Sequence, residues 1–289
     1  MKMLNDFLSY DAAHHQGYAS QFWPKLISMA YPVLAHMPLL EQLSHLVNWF
    51  YCNTENAGIQ GKSMMFGSVE YAAGKGNLTR GMISRGFVSC ALDIIFSDQQ
   101  DCLTSHGLRL WIEVLLHCSS SSASLWFGTQ CSSFVPLCIS VSKRCSDNNF
   151  FGDVSREFVQ QGNALMMITS FIMALGLSMG HYATLEQPLG SCMPSHPIMM
   201  AVIKFFRMKK YVTYLGAFGA RTVKPIQLLS TISLESCEME KPIICDETLA
   251  SRGPNGEYTG KKESLVESEH YPLAFGKAVA KAYDQMRFQ

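Results

Sequence analysis

Between Phe158 and Ile203 the chain carries a single charged residue, Glu186. A stretch this apolar belongs either inside a large core or in a membrane. Residues 164–185 carry no formal charge and are long enough to span a bilayer, which keeps a transmembrane helix as one reading. Thr169, Ser170, Gly176, Ser178, Gly180 and His181 dilute that run, and no Lys or Arg follows it closely to set a topology. The stronger reading is a buried helix, Ala164 to Met179, feeding a short strand, Tyr182 to Leu185, which Pro188 ends. Glu186 then stands at a strand end in a protected place. A buried carboxylate is costly unless it is paired or used, so this one asks for a chemical role.

The rest of the chain can supply such a core. Of 289 residues, 48% are apolar and 16% charged, against roughly 25% charged in ordinary soluble domains. That excludes a disulfide-stapled mini-protein and a disordered tail. Lys plus Arg and Asp plus Glu both total 23, so bulk positive charge cannot coat a nucleic acid. The ten cysteines show no Cys-x-x-Cys and no zinc-ligand spacing with histidine. No metal site is expected, and the thiols read as small buried hydrophobes in a reducing compartment. Met1 to Asp11 has no apolar run of signal-peptide type, so the expected location is intracellular, nuclear or cytoplasmic.

From Met64 a strand, turn and helix recur. Met64 to Ala73 reads as a strand, Gly74-Lys75-Gly76 as a turn, and a helix follows to about Arg85. A second strand, Phe87 to Ile95, ends near Asp93, and Gly107 to His117 has helical spacing. A serine-rich linker, Ser119 to Ser124, leads to a buried strand at Leu125-Trp126-Phe127-Gly128. This alternation predicts an α/β fold with a doubly wound, mostly parallel sheet. Residues 1–62, interrupted by Pro24, Pro32 and Pro38, form an N-terminal segment, and 63–289 form the domain. Within it, 235–268 read as a polar loop with a turn at Gly253-Pro254-Asn255-Gly256, and Ala274 to Met286 as a closing helix.

Two constellations carry chemistry. The glycine turn after a strand, with Asp93 at the end of the next strand, suits a nucleoside cofactor whose ribose hydroxyls the acid binds. Asp101 follows, and a helix N-terminal acid is an equal reading of it. The second constellation is Cys131, just beyond Leu125–Gly128, and Glu186, just beyond Tyr182–Leu185. Ends of neighbouring parallel strands share one edge, where ligands bind. A thiolate that attacks a heteroaromatic ring and an acid that protonates a ring nitrogen together suit covalent addition. Trp126 and Phe127 read as core rather than as stacking platforms. Lys204, Arg207, Lys209, Lys210, Arg221 and Lys224 form one net-basic stretch, read as a solvated face or as phosphate contacts.

The order Glu70-Tyr71-Ala72-Ala73-Gly74-Lys75-Gly76, Asp93, Asp101, Gln130-Cys131-Ser132-Ser133-Phe134, Leu185-Glu186-Gln187-Pro188 resembles the cytosine carbon-5 DNA methyltransferases. It resembles still more an algal family related to them, in Gly74–Thr79, Cys131–Phe134, Lys143-Arg144, Gly162-Asn163 and Tyr271–Gly276. The resemblance covers residues 64–285 and implies a Rossmann-like fold of the class I methyltransferase type. It further implies S-adenosylmethionine as cofactor: Ala73, Gly74 and Gly76 beside the methionine part, Asp93 at the ribose and Asp101 at the adenine. Cys131 would be the nucleophile toward cytosine carbon-6 and Glu186 the acid at ring nitrogen-3. Gly276-Lys277-Ala278-Val279 resembles the closing Gly-Asn-Ala-Val segment that returns to the cofactor.

The chain departs from that family at several points. Gln130 replaces a proline before the cysteine, and Gln187-Pro188 replaces Asn-Val, at places where the family stiffens its loops. Arg221 and Lys224 stand in for paired arginines, and no room remains for a target recognition domain. The implied activity is methylation of cytosine in nucleic acid, with weak, sequence-independent binding. A catalytically inactive cofactor- or nucleic-acid-binding module and a membrane protein spanning at 164–185 are the alternatives.

Overall fold

A computed structural model of the chain describes residues 65–118, 122–238, 251–252, 258–259 and 270–286. The N-terminal segment 1–62, most of the loop at 235–268 and the turn read at 253–256 lie outside them.

Strand β1 (Ser68–Tyr71) is followed by helix α1 (Asn77–Ile83), and β2 (Ser89–Leu92) by α2 (Ser105–Leu116). Next come β3 (Ser124–Phe127), α3 (Pro136–Ser142), α4 (Glu157–Ser178) and β4 (Tyr182–Pro188). The chain continues through α5 (Pro197–Phe205), β5 (Lys209–Tyr214) and β6 (Pro225–Ser230), and α6 (Leu273–Met286) closes it. A two-residue ladder pairs β7 (Ser251–Arg252) with β8 (Tyr258–Thr259).

Six strands make one sheet in the order β2-β1-β3-β4-β6-β5. β1 to β4 run parallel, β6 runs antiparallel to β4, and β5 antiparallel to β6. The expected α/β architecture with a mostly parallel sheet is therefore present. The chain leaves β1 outward to β2 and returns to β3 on the other side. Such a reversal opens a crevice at the carboxyl ends of the strands.

Alternation along the strands splits the core in two. Val69, Tyr71, Leu125, Phe127 and Leu185 pack beneath α2, α4 and α5, and Tyr71 and Phe127 stack at 5.0 Å. Trp126 and Leu228 on the other face meet Leu78 and Met82 of α1 and Phe275 and Val279 of α6.

Gly180 decides the fate of the uncharged run. It takes φ +86°, and the His181 N–H bonds back to Gly176 O while the Gly180 N–H bonds to Leu177 O. That is a Schellman stop, and the chain enters β4 two residues later. The proposed span over 164–185 is thus divided between a helix and a central strand. α4 by itself is long and apolar enough to cross a membrane, and 72% of its apolar window is buried within the fold.

Other boundaries also shift. The strand expected over Met64 to Ala73, whose Met64 lies outside the described residues, ends at Tyr71 because Ala72 turns into the left-handed region at φ +54°. Ser124 belongs to β3 rather than to a linker, and α4 begins at Glu157 rather than Ala164. α3, α5, β5 and β6 went unread. Lys209–Tyr214 alternates buried and half-buried residues from Tyr211 on, but its two leading lysines mask that pattern.

Candidate functional site at the carboxyl edge of the sheet

The glycine turn is built on three left-handed residues, Ala72 (φ +54°), Gly74 (φ +53°) and Gly76 (φ +66°). They fold the chain from β1 directly back into α1. A β-carbon on Gly76 would make only ordinary contacts, 3.5 Å from Ala91 Cβ, so conformation rather than space is what requires glycine there. The Gly74 N–H donates to Asp93 Oδ2 at 2.8 Å, and the Ile95 N–H to Asp93 Oδ1 at 2.9 Å. Gln100 Oε1 accepts from the Asp93 N–H at 2.8 Å. Turn and acid are therefore one hydrogen-bonded unit. An ionised carboxylate has about four acceptor sites, so Asp93 keeps capacity for two further hydroxyls.

Glu70 lies beneath this turn and escaped the sequence reading, although an acid between Val69 and Tyr71 in a buried strand was its signal. Its Oε2 accepts from both the N–H and the hydroxyl of Thr79, each at 2.7 Å, which pins α1 to β1. Burial dominates and pushes its carboxyl up to about 7. The folded chain then holds this proton more tightly than the unfolded chain does. Its contribution to stability is full below the ordinary carboxylate range and is lost as pH rises to about 7. Wild-type protein should lose about 3 kcal/mol between pH 4.5 and 8 from this group, read as a falling urea midpoint. Glu70→Gln should flatten that fall. An unchanged pH slope in the variant contradicts this role.

The loop leaving β3 begins at Gly128, where a β-carbon would lie 2.8 Å from both Ala72 O and the Tyr271 hydroxyl. The ends of β1 and β3 approach that closely. Thr129 O accepts from Gln187 Nε2 at 2.7 Å, and Gln187 Oε1 accepts from Ser191 Oγ at 2.8 Å. Gln187, expected to loosen this loop, instead fastens it. The Phe134 N–H closes a turn onto Cys131 O at 2.7 Å.

Beneath the turn lies Arg144, 2% exposed. Its Nε donates to Ser133 O at 2.9 Å and its Nη2 to Ser133 Oγ at 2.8 Å. Nη1 reaches Phe150 O at 2.6 Å and Asn163 Oδ1 at 2.7 Å, and the guanidinium lies 3.7 Å over the Phe134 ring. A β-carbon on Gly162 would fall 2.2 Å from Ser133 Oγ. Lys143-Arg144 and Gly162-Asn163, noted only as a shared pattern, thus include the supports of the Cys131 loop. Burial pushes Arg144 down to about 10, still charged at neutral pH.

Glu186 points to the Trp126 face of the sheet and is 6% exposed. Tyr271 donates its hydroxyl to Glu186 Oε2 at 2.9 Å and accepts from Trp126 Nε1 at 3.2 Å. Tyr271 O in turn accepts from Asn77 Nδ2 at 2.7 Å, so the acid is linked to the first residue of α1. Glu186 Oε1 is buried with no hydrogen-bond partner among the described residues. Burial raises the carboxyl above its usual range, while the Lys224 charge and the Tyr271 hydroxyl pull it back. Glu186, expected just beyond a strand ending at Leu185, lies within β4 opposite Leu228, because β6 extends the pairing to Pro188. Leu185 is in register with Phe127, so Glu186 stands one residue past the last β3–β4 pair, where the Cys131 loop leaves β3.

The remaining residues divide. Ala73 is buried, and its N–H bonds to Leu92 O at 3.1 Å beside the turn. Asp101 Oδ1 accepts from the Leu103 N–H at 2.9 Å, a turn that leads into α2, whose cap is Thr104. Gln100 places that turn next to Asp93. Gly276 sits on α6 where a β-carbon would strike Asn77 O at 2.3 Å, so helix crossing accounts for it. The basic stretch is not one face. Lys209 opens β5 opposite Ser230, with Lys204, Arg207 and Lys210 beside it, whereas Arg221 and Lys224 precede β6 at the carboxyl edge. A six-residue strand, about 20 Å, separates the two groups. A cavity of about 280 Å³ lies at the carboxyl edge, lined by Lys75 and Asn77, by Arg221, Thr222 and Lys224, and by Tyr271. Among the described residues no three His, Cys, Asp or Glu group as metal ligands.

Compared with known family models, curated proteins and solved structures, the chain matches none.

Proposed function

We propose that the chain is a class I methyltransferase-type domain that uses S-adenosylmethionine to methylate cytosine in nucleic acid. The observation that carries this reading is the convergence on one sheet edge of the glycine turn tied to Asp93, the Cys131 loop and Glu186. A mostly parallel sheet that reverses between β1 and β3 is also consistent with that Rossmann-like fold type. The residues present fit the cofactor. Asp93 has acceptor capacity for ribose hydroxyls, and the exposed Ile94, Ile95 and Phe96 that follow it offer apolar surface to a purine. When bound, the cofactor supplies an electrophilic methyl group. The Cys131 thiolate would add to carbon-6 as the carbon-5–carbon-6 double bond opens, and Glu186, whose carboxyl burial raises above its usual range, would give its proton to ring nitrogen-3. After carbon-5 takes the methyl group, loss of its proton would expel the thiolate and restore the ring. Arg144 and Gln187 hold the cysteine loop still.

A binding module without turnover is the second reading, and Tyr271 favours it. Its hydroxyl occupies the gap between Gly128 and Glu186, so a base reaches the acid only if Tyr271 moves. An oligonucleotide carrying 5-fluorocytosine separates the two readings. With cofactor present, wild type should give a denaturation-resistant adduct by mass spectrometry, and Cys131→Ser none. Cofactor binding without any adduct in the wild type leaves the module.

A further inference from the structure

We propose that the Tyr271 side chain is a plug in a pyrimidine-binding slot, its phenol ring standing where the ring of a base stands once Tyr271 swings out. Elements from both halves of the sheet edge define the slot. Trp126 of β3 meets the Tyr271 ring edge to face at 5.9 Å, and Phe275 of α6 lies 5.5 Å from it. Glu186 of β4 accepts from the hydroxyl at 2.9 Å. Gly128 supplies the remaining room, since a β-carbon there would lie 2.8 Å from that hydroxyl. The same β-carbon would lie 2.8 Å from Ala72 O, so the hydroxyl reaches the end of β1, where the glycine turn leaves.

A core built for stability alone gains little from this pair. Taking a carboxyl out of water costs more than one neutral hydrogen bond returns, and leucine with phenylalanine would fill the same volume. Tyr271 also serves only Oε2 of the acid, and Oε1 has no hydrogen-bond partner among the described residues. The edge of cytosine sets an acceptor ring nitrogen beside an amino donor, so one base meets both oxygens. Tyr271 is placed to move. Its backbone belongs to no helix or strand, its carbonyl is tied to Asn77 Nδ2 at 2.7 Å, and α6 starts two residues on at Leu273. The inference rests on the reading of Glu186 as the base-holding acid. Binding of a free base, however, needs neither cofactor nor methyl transfer.

Titration calorimetry of the whole chain with free cytosine tests it, with toluene as the second probe. A closed plug divides the apparent affinity by the scarcity of open molecules, so Tyr271→Ala should bind cytosine at least about tenfold more tightly than wild type. An ordinary cavity left by a core ring takes an apolar ligand instead. Uptake of toluene but not cytosine by Tyr271→Ala would therefore make the tyrosine plain packing and overturn the plug. If Tyr271→Ala does not fold, Asn77→Ala carries the same test. It frees the Tyr271 carbonyl, leaves the ring whole and should tighten cytosine binding by about threefold or more. Cytosine affinity unchanged from wild type in the variant that folds overturns the plug as well. Tighter cytosine binding by the variant without S-adenosylmethionine binding by wild type would retain the plug and remove the methyl-transfer reading alone. Cofactor binding by wild type with no gain for cytosine in the variant would remove the plug alone.

Discussion

Arg144→Met should lower unfolding free energy by about 3–5 kcal/mol in urea titrations. The guanidinium satisfies Ser133 O and Oγ, Asn163 Oδ1 and the carbonyls of Phe150, Phe151 and Val159. Methionine fills much of the volume but donates to none of them. Each acceptor left dry costs about 1–3 kcal/mol, and the costs overlap because the loop partly rearranges. Arg144→Lys should recover little, since a single ammonium cannot serve groups on several sides at once. Because Ser133 lies in the Cys131 turn, the Met variant should also make Cys131 react faster with a thiol reagent. A loss below about 1 kcal/mol would show that the loop stands without the arginine.

Gly276→Ala should cost about 3 kcal/mol or more, even though alanine is the better helix former by ~1 kcal/mol. Its β-carbon would lie 2.3 Å from Asn77 O and 2.9 Å from Leu78 Cα, and a β-carbon on Gly81 would lie 2.3 Å from the Gly276 backbone in return. Backbone lies on both sides, so no side chain can swing away. α6 must withdraw from α1, which opens the packing of Phe275 and Val279 on that face. Lys277→Ala, one residue on and exposed, should stay within about 0.5 kcal/mol. Equal melting of the two variants would contradict the helix crossing.

The parts of this fold that read directly from sequence are those whose signal is local. β3 and β4 are short apolar runs, and the glycine turn announces itself. β5 and β6 did not, because β5 opens on two exposed lysines and β6 carries Gln227 among its buried residues. The same strand explains why the basic stretch divides: residues close in sequence end up at opposite edges once a strand runs between them. The supports of the site are longer-range still. Tyr271 reaches Glu186 across 85 residues, and Arg144 joins Ser133 to Asn163. Neither partnership leaves a spacing that periodicity could detect. Glu70 was legible only as an acid in an apolar strand, and its Thr79 partner follows from how sharply the glycine turn folds back.

Titration calorimetry of the whole chain with S-adenosylmethionine tests the central claim most directly. Binding at one site is expected, because the turn and Asp93 are already joined by the Gly74 hydrogen bond. Asp93→Ala should weaken binding by about 1–3 kcal/mol, the range for a lost charged hydrogen bond, with the fold checked by its melting transition. No heat with the wild-type chain at ~1 mM cofactor would contradict the account.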